Sequence, residues 1–168
     1  MMNESQAYNL AFNTLGQFQR DFNFNRSEMA RVLTAIMFVE STYNPNAKNP
    51  HSTAKGLMQM TNPAKKDAER WLNLPTAPDS TMYNPQYNVK LGTRYFLYQW
   101  RRYDGNLKKS VIAYNQGSYN QSADGLVYWR KFEEAYKRIS PVLAGPNYLQ
   151  IALLLGVGIG TIYYFYRK

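Results

Sequence analysis

Cysteine is absent from this chain of 168 residues. Disulfides and thiolate metal sites are therefore excluded, and folding is indifferent to the redox compartment. Histidine occurs once, as His51. That argues against a Ser/His catalytic pair and against a histidine-based metal site, so neither metal nor cofactor is expected. Acidic residues are few, 11 against 20 Lys and Arg, giving a net charge of +9. The basic residues fall in pairs such as Lys65-Lys66, Arg101-Arg102 and Lys108-Lys109. A surface of this sign attracts polyanions such as nucleic acid, anionic lipid or acidic cell-wall polymer. No nucleic-acid-binding motif accompanies the charge, so specific nucleic-acid binding is not expected. The first 20 residues also lack the continuous apolar core of a secretion signal. They read instead as an amphipathic helix carrying Tyr8, Ala11, Phe12, Leu15 and Phe18.

Charge disappears altogether near the carboxyl end. From Ile139 to Tyr166 no side chain is charged, and Leu149 to Tyr166 is apolar except for scattered residues such as Gln150 and Thr161. A helix over this stretch spans about 27 Å, close to the hydrocarbon thickness of a bilayer. Tyr163, Tyr164 and Tyr166 stand beside Arg167-Lys168, as interfacial anchors do. The expectation is a linker over 139–147, a single transmembrane helix over 148–166 and a basic tail at 167–168. Gly156 and Gly160 form a G-x-x-x-G pair suited to close helix packing, with a second copy or with another membrane protein. No strand–helix unit surrounds these glycines, so they are not a dinucleotide loop.

Between the termini the pattern is helical, without internal repeats or sustained strand alternation. Ser27 is the expected cap of a helix running to about Tyr43, stopped by Asn44-Pro45. Asn62-Pro63 and Asn84-Pro85 read as caps followed by a proline in the first helical position. They predict helices near 64–72 and 86–103, the second burying a face of Tyr87, Leu91, Tyr95 and Tyr98. Further helices are expected over 107–114 and 126–139, separated by a polar loop at 115–124. The fold class is all-α: a helical extension at 1–26, a globular domain at 27–138, and the membrane segment.

Aromatic residues are abundant, and 15 of them are tyrosines. Tyrosine supplies packing area with a polar tip, which suits a sugar-lined groove as well as a core. Glu40 is the only carboxylate between Glu28 and Asp67. Helical spacing sets it on the stripe of Val32 and Ile36. Burial on such a stripe raises a carboxyl pKa, which is what a general acid needs at neutral pH. A surface glutamate at a fraying helix end is the competing reading.

Four blocks favour the first reading. They are Glu40-Ser41-Thr42-Tyr43-Asn44-Pro45, the run from Asn49 to Met60 containing Gly56-Leu57-Met58-Gln59, Asn88-x-x-x-Gly92-x-x-Tyr95, and Ala113-Tyr114-Asn115-Gln116-Gly117. In this order they resemble the soluble-lytic-transglycosylase family of lysozyme-like enzymes that cleave peptidoglycan, over roughly 27–136. The resemblance implies a lysozyme-like helical domain with Glu40 as sole catalytic acid and base. It implies substrate contacts from Ser52, Gly56, Met58, Gln59, Tyr114 and Asn115, with Tyr128 of the last helix as a further residue of the cleft. A retaining glycosidase of the usual kind needs a second carboxylate about 5 Å away, and only folding can bring Asp67 or Asp79 near. In the family the nucleophile comes from the substrate, so cleavage of the MurNAc-β-1,4-GlcNAc bond leaves a 1,6-anhydro-MurNAc end without water.

The partners expected are peptidoglycan glycan strands and, through the carboxyl-terminal helix, a lipid bilayer. A membrane-attached muralytic enzyme without a secretion signal suits an internal virion membrane or a host cell envelope, where it opens the wall locally as a phage genome enters. Alternatives are a lysozyme-type glycoside hydrolase and a non-catalytic, membrane-bound structural virion protein.

Overall fold

A computed structural model describes residues 1–139. The expected transmembrane helix at 148–166, the basic tail and all but the first residue of the expected linker lie outside the described residues. Among the described residues six α-helices and one 3-10 turn make up the architecture: α1 (Glu4–Leu15), α2 (Arg26–Ser41), α3 (Asn62–Trp71), the turn Asp79–Tyr83, α4 (Pro85–Arg102), α5 (Leu107–Gln116) and α6 (Ala123–Arg138). Among the described residues β-pairing is limited to isolated bridges joining Lys48, Lys55 and Met60. No helix among the described residues is long and apolar enough to cross a membrane.

Every helix begins at a side chain that satisfies an otherwise orphaned N–H: Asn3, Asn25, Thr61, Asn84, Asn106 and Ser122. Each such cap is worth about 1 kcal/mol. Two differ from the sequence expectation. Asn25 rather than Ser27 caps α2, because its Oδ1 accepts from the Glu28 N–H at 3.0 Å. Thr61 rather than Asn62 caps α3, which moves Pro63 within the first turn, where its missing N–H costs nothing. Asn84 and Pro85 take the expected positions at the start of α4.

Helix α2 is the centre of the packing. Leu33, Ala35, Ile36 and Met37 are wholly buried on it, with α1 packed on one side and α6 on the other. Ala7, Tyr8, Ala11, Leu15 and Phe18 join the same core, so the first 26 residues pack as part of this domain. Helix α4 crosses behind and touches α1, α3 and α5. Its buried face is Val89, Leu91, Phe96 and Leu97, so of the face expected from the sequence Leu91 is buried and the three tyrosines are not. Tyr87 and Tyr95 are half-buried and Tyr98 is exposed. Tyr87 donates its hydroxyl to the buried Glu69 carboxylate at 2.7 Å, while Tyr95 and Tyr98 stay at the rim, where one end of the ring stays wet.

Candidate active site

Glu40 lies in the last turn of α2. That turn does not fray: Thr42 and Tyr43 take left-handed conformations, with φ of 50° and 61°, and reverse the chain sharply. Tyr43 is then buried against Phe38, with ring centroids 5.5 Å apart. Ser41 Oγ donates to the Leu57 carbonyl at 2.8 Å and fixes the helix end to the following loop. The Glu40 carboxyl therefore projects from a rigid end into a cleft of about 460 Å³.

Burial dominates its electrostatics and lifts its pKa from 4.5 to about 7. A hydrogen bond from Tyr128 Oη to Glu40 Oε1 at 2.6 Å, and the charge of Lys131, pull the other way and are outweighed. Tyr128 reaches Glu40 from α6, and Tyr114 approaches from α5. Both phenols are held well above their ordinary pKa, first by burial and then by the Glu40 charge, so each is a neutral hydrogen-bond donor.

The wall opposite Glu40 is the loop before α3. Asn88 of α4, wholly buried, organises it by accepting from the Met58 N–H at 2.8 Å and donating to the carbonyls of Lys55 at 2.9 Å and Met82 at 3.0 Å. Gly56 has φ of 77°, and a Cβ there would run into the Met82 carbonyl and the Asn88 amide. Gln59 also takes a positive φ, 45°, and its Nε2 donates to the carbonyls of Gly56 at 2.9 Å and Ala47 at 3.2 Å. Tyr114 Oη donates to the Met58 carbonyl at 2.7 Å, joining this loop to α5.

Glu40, Ser52, Gln59, Tyr114 and Asn115 all line the cleft. Ser52 is an exposed member whose Oγ accepts from the Ala54 N–H at 3.2 Å. Met58 does not line it. Its side chain is wholly buried, and a Cβ on Gly92 would strike its sulfur, so Met58 serves the cleft only through its backbone. Gly56 is likewise buried behind the surface, facing Met82 and Asn88 and not the open space. Tyr128 stands beneath Glu40 and acts on the cleft through that carboxyl.

Among the residues sequence reasoning did not assign to the site are Asn88, Ser41 and Tyr95, with Thr61 and Gln116 also lining the cleft. The Asn88-x-x-x-Gly92-x-x-Tyr95 block was the signal for Asn88 and Tyr95, and the Glu40 block that for Ser41; Asn88 and Gly92 both contact Met58. Asp67 pairs with Arg70 at 2.9 Å, and Asp79 with Lys55 at 3.3 Å and Asn62 at 3.0 Å. Among the described residues Glu40 is thus the only carboxylate lining the cleft. Nor do any three His, Cys, Asp or Glu side chains among them group as metal ligands. The arrangement can give a proton and take it back at one oxygen site.

Residues 6–135 match the profile of the family described as "Transglycosylase SLT domain". The chain belongs to this family. Over 113 residues it is 28% identical to the soluble lytic murein transglycosylase of Escherichia coli K12, covering 67% of this chain and 17% of that protein. The fold is similar to an inactive mutant of the lytic transglycosylase Slt of Pseudomonas aeruginosa, with a TM-score of 0.56 and 21% identity over 83% of this chain and 23% of that one. It is also similar to the 70 kDa soluble lytic transglycosylase of E. coli, with a TM-score of 0.54 and 22% identity over 79% of this chain and 22% of that one. The SLT domain here thus spans less than a quarter of the length of these relatives.

Proposed function

We propose that this SLT domain is a peptidoglycan lytic transglycosylase with Glu40 as its single acid and base. The observation that carries the reading is a lone, desolvated carboxyl with a pKa of about 7, fixed by Tyr128 in an open cleft. A group poised near neutrality donates a proton to the leaving glycosidic oxygen and then accepts one without a large change of conditions. With no second carboxylate in the cleft among the described residues, a protein nucleophile of the ordinary retaining kind is lacking there. The substrate's acetamido oxygen, and then its 6-hydroxyl, fill that role. Glu40 accepts the hydroxyl proton and a 1,6-anhydro-MurNAc end forms. Ser52, Gln59, Tyr114 and Asn115 contact the sugars, while Gly56 and the Met58 backbone hold the loop in place. Mass analysis of purified peptidoglycan after digestion tests this. Anhydro ends with the native chain, and none with Glu40→Gln, are expected; reducing ends alone would establish hydrolysis instead.

The apolar run 149–166 supports a membrane-held form of the enzyme, acting on wall close to a bilayer. The proposed setting is the internal membrane of a virion or the host envelope, with local wall opening as a phage genome enters. Gly156 and Gly160 are the proposed packing face for a second copy or a membrane partner. Recovery of the chain in the membrane of purified particles is expected. Its constitutive presence in envelopes of uninfected cells would refute the viral setting.

A further inference from the structure

Away from Glu40 a second cleft, of about 320 Å³, is lined by Asp21 and Phe22 after α1, Trp71 and Leu72 at the end of α3, and Arg94 and Arg101 of α4. Its two guanidiniums are held by aromatic rings. Arg94 lies 4.9 Å from the Trp71 ring centroid and 5.5 Å from that of Phe22, and Arg101 lies 4.5 Å from the same Phe22 ring. Arg101 Nη2 also donates to the Asp21 carbonyl at 2.7 Å. Neither arginine forms an ion pair among the described residues. Two like charges sharing one ring repel, and burial together with the Arg101 charge pushes the Arg94 pKa down against the opposing pull of the Asp21 carboxylate. An anion seated between them relieves that repulsion. Stacking leaves the Arg94 N–H groups, and those of Arg101 not bonded to Asp21, oriented for the two oxygens of a carboxylate.

The position of this cleft says where the anion comes from. Trp71 stacks on Tyr95, with centroids 6.1 Å apart, and on Tyr98 at 4.5 Å. Tyr95 lines the Glu40 cleft, while Trp71 and Arg94 line the second one. One wall of aromatic rings thus separates the two spaces, and a branched substrate can straddle it. We propose that the second cleft binds a free carboxylate of the peptide branch while the glycan occupies the Glu40 cleft, an assignment that rests on the peptidoglycan reading above. Asp21 at the rim accepts from a peptide ammonium or amide N–H, and the same carboxylate repels a phosphate dianion more strongly than a singly charged carboxylate. Both features favour a peptide terminus over a phosphate group.

The test uses the full chain in detergent. Calorimetric titration with a free stem tetrapeptide, beside glycerol phosphate, is expected to show at least tenfold tighter binding of the peptide. Glycan oligomers bearing peptides are expected to show a KM at least tenfold below that of bare oligomers. Arg94→Gln combined with Arg101→Gln should weaken peptide binding by tenfold or more and bring the two KM values together, with Arg94→Lys recovering part of the binding. Free tetrapeptide should also inhibit native turnover of peptide-bearing glycan, a measurement that needs no substitution. Equal binding of glycerol phosphate, equal KM values in the native chain, a preference that survives the double substitution, or no inhibition would each overturn the site. Peptide binding through Arg94 and Arg101 without anhydro products would uphold the site while refuting the transglycosylase reading. Turnover without the KM preference would do the reverse.

Discussion

Replacing Glu40 by Gln should stabilise the domain in alkaline solution while abolishing its chemistry. Glutamine keeps the shape of the side chain and still accepts from Tyr128, but it cannot ionise. The native carboxyl has a pKa of about 7 in the fold and an ordinary value of 4.5 when exposed. Below pH 4.5 both states of the native chain carry the proton, and Glu40 adds no pH dependence. Between pH 4.5 and about 7 the unfolded chain releases its proton first, so folding stability falls as pH rises. Above that range the loss levels off at about 3 kcal/mol, from ~1.4 kcal/mol for each pKa unit. Glu40→Gln has no such loss, so its stability relative to the native chain should climb through this window and then stay level. With a urea dependence of about 2 kcal/mol per molar, the midpoints should separate by roughly 1.5 M more at pH 8 than at pH 4.5. Urea titrations of both proteins in detergent across this range measure the difference directly. A separation that does not change with pH would show that Glu40 is solvated in the fold, and the proton-donor role would lose its physical basis.

Other outcomes follow from the same contacts. Activity of the native chain should have a basic limb near pH 7, where the Glu40 proton is lost. Tyr128→Phe removes the hydrogen bond that partly offsets burial, so this limb should move to higher pH while kcat falls by about tenfold. An unmoved limb in the pH–rate profile would refute the coupling. Asn88→Ala leaves the Met58 N–H and two carbonyls without their partner and should cost about 2–4 kcal/mol in urea unfolding. Gly56→Ala should cost at least about 1 kcal/mol and reduce activity, because its backbone is left-handed and a Cβ meets backbone and a buried amide. A variant at either position as stable as the native chain would mean that the loop is held by other contacts.

The helical class was legible because its signals are local. Asn84-Pro85 starts α4 where expected, and the apolar stripe of α2 is buried as its spacing demands. Caps moved by one or two residues because neighbouring Asn, Ser and Thr compete for the same role, and only the three-dimensional position of the N–H decides between them. The tyrosine face of α4 was misplaced for a different reason. Hydrophobic periodicity counts tyrosine as core, but a phenol without a buried partner moves to the rim, and Tyr98 does so while Phe96 and Leu97 go inside. At the site, Gln59, Tyr114 and Asn115 were readable as motif members, but the division of labour among them was not. Met58 shows why. Its motif position next to Gln59 suggested a cleft residue, yet its left-handed neighbour Gln59 and the Asn88 bond to its N–H turn its side chain inward against Gly92.

That inward turn has a consequence for how a one-carboxylate site keeps its geometry. The Met58 carbonyl is the acceptor for Tyr114, the Leu57 carbonyl is the acceptor for Ser41, and Asn88 holds the Met58 N–H. The loop opposite Glu40 is therefore bonded at consecutive peptide units to α2, α4 and α5. A site with two carboxylates can divide donation and stabilisation between them, whereas in the proposed reaction any drift of the loop relative to Glu40 would misplace the sugar from the one carboxylate that lines the cleft among the described residues. Misplacement by about 1 Å is enough to cost a hundredfold in rate. The buried amide of Asn88 and the open face of Gly92 are thus conditions for Glu40 to work, although neither approaches the cleft.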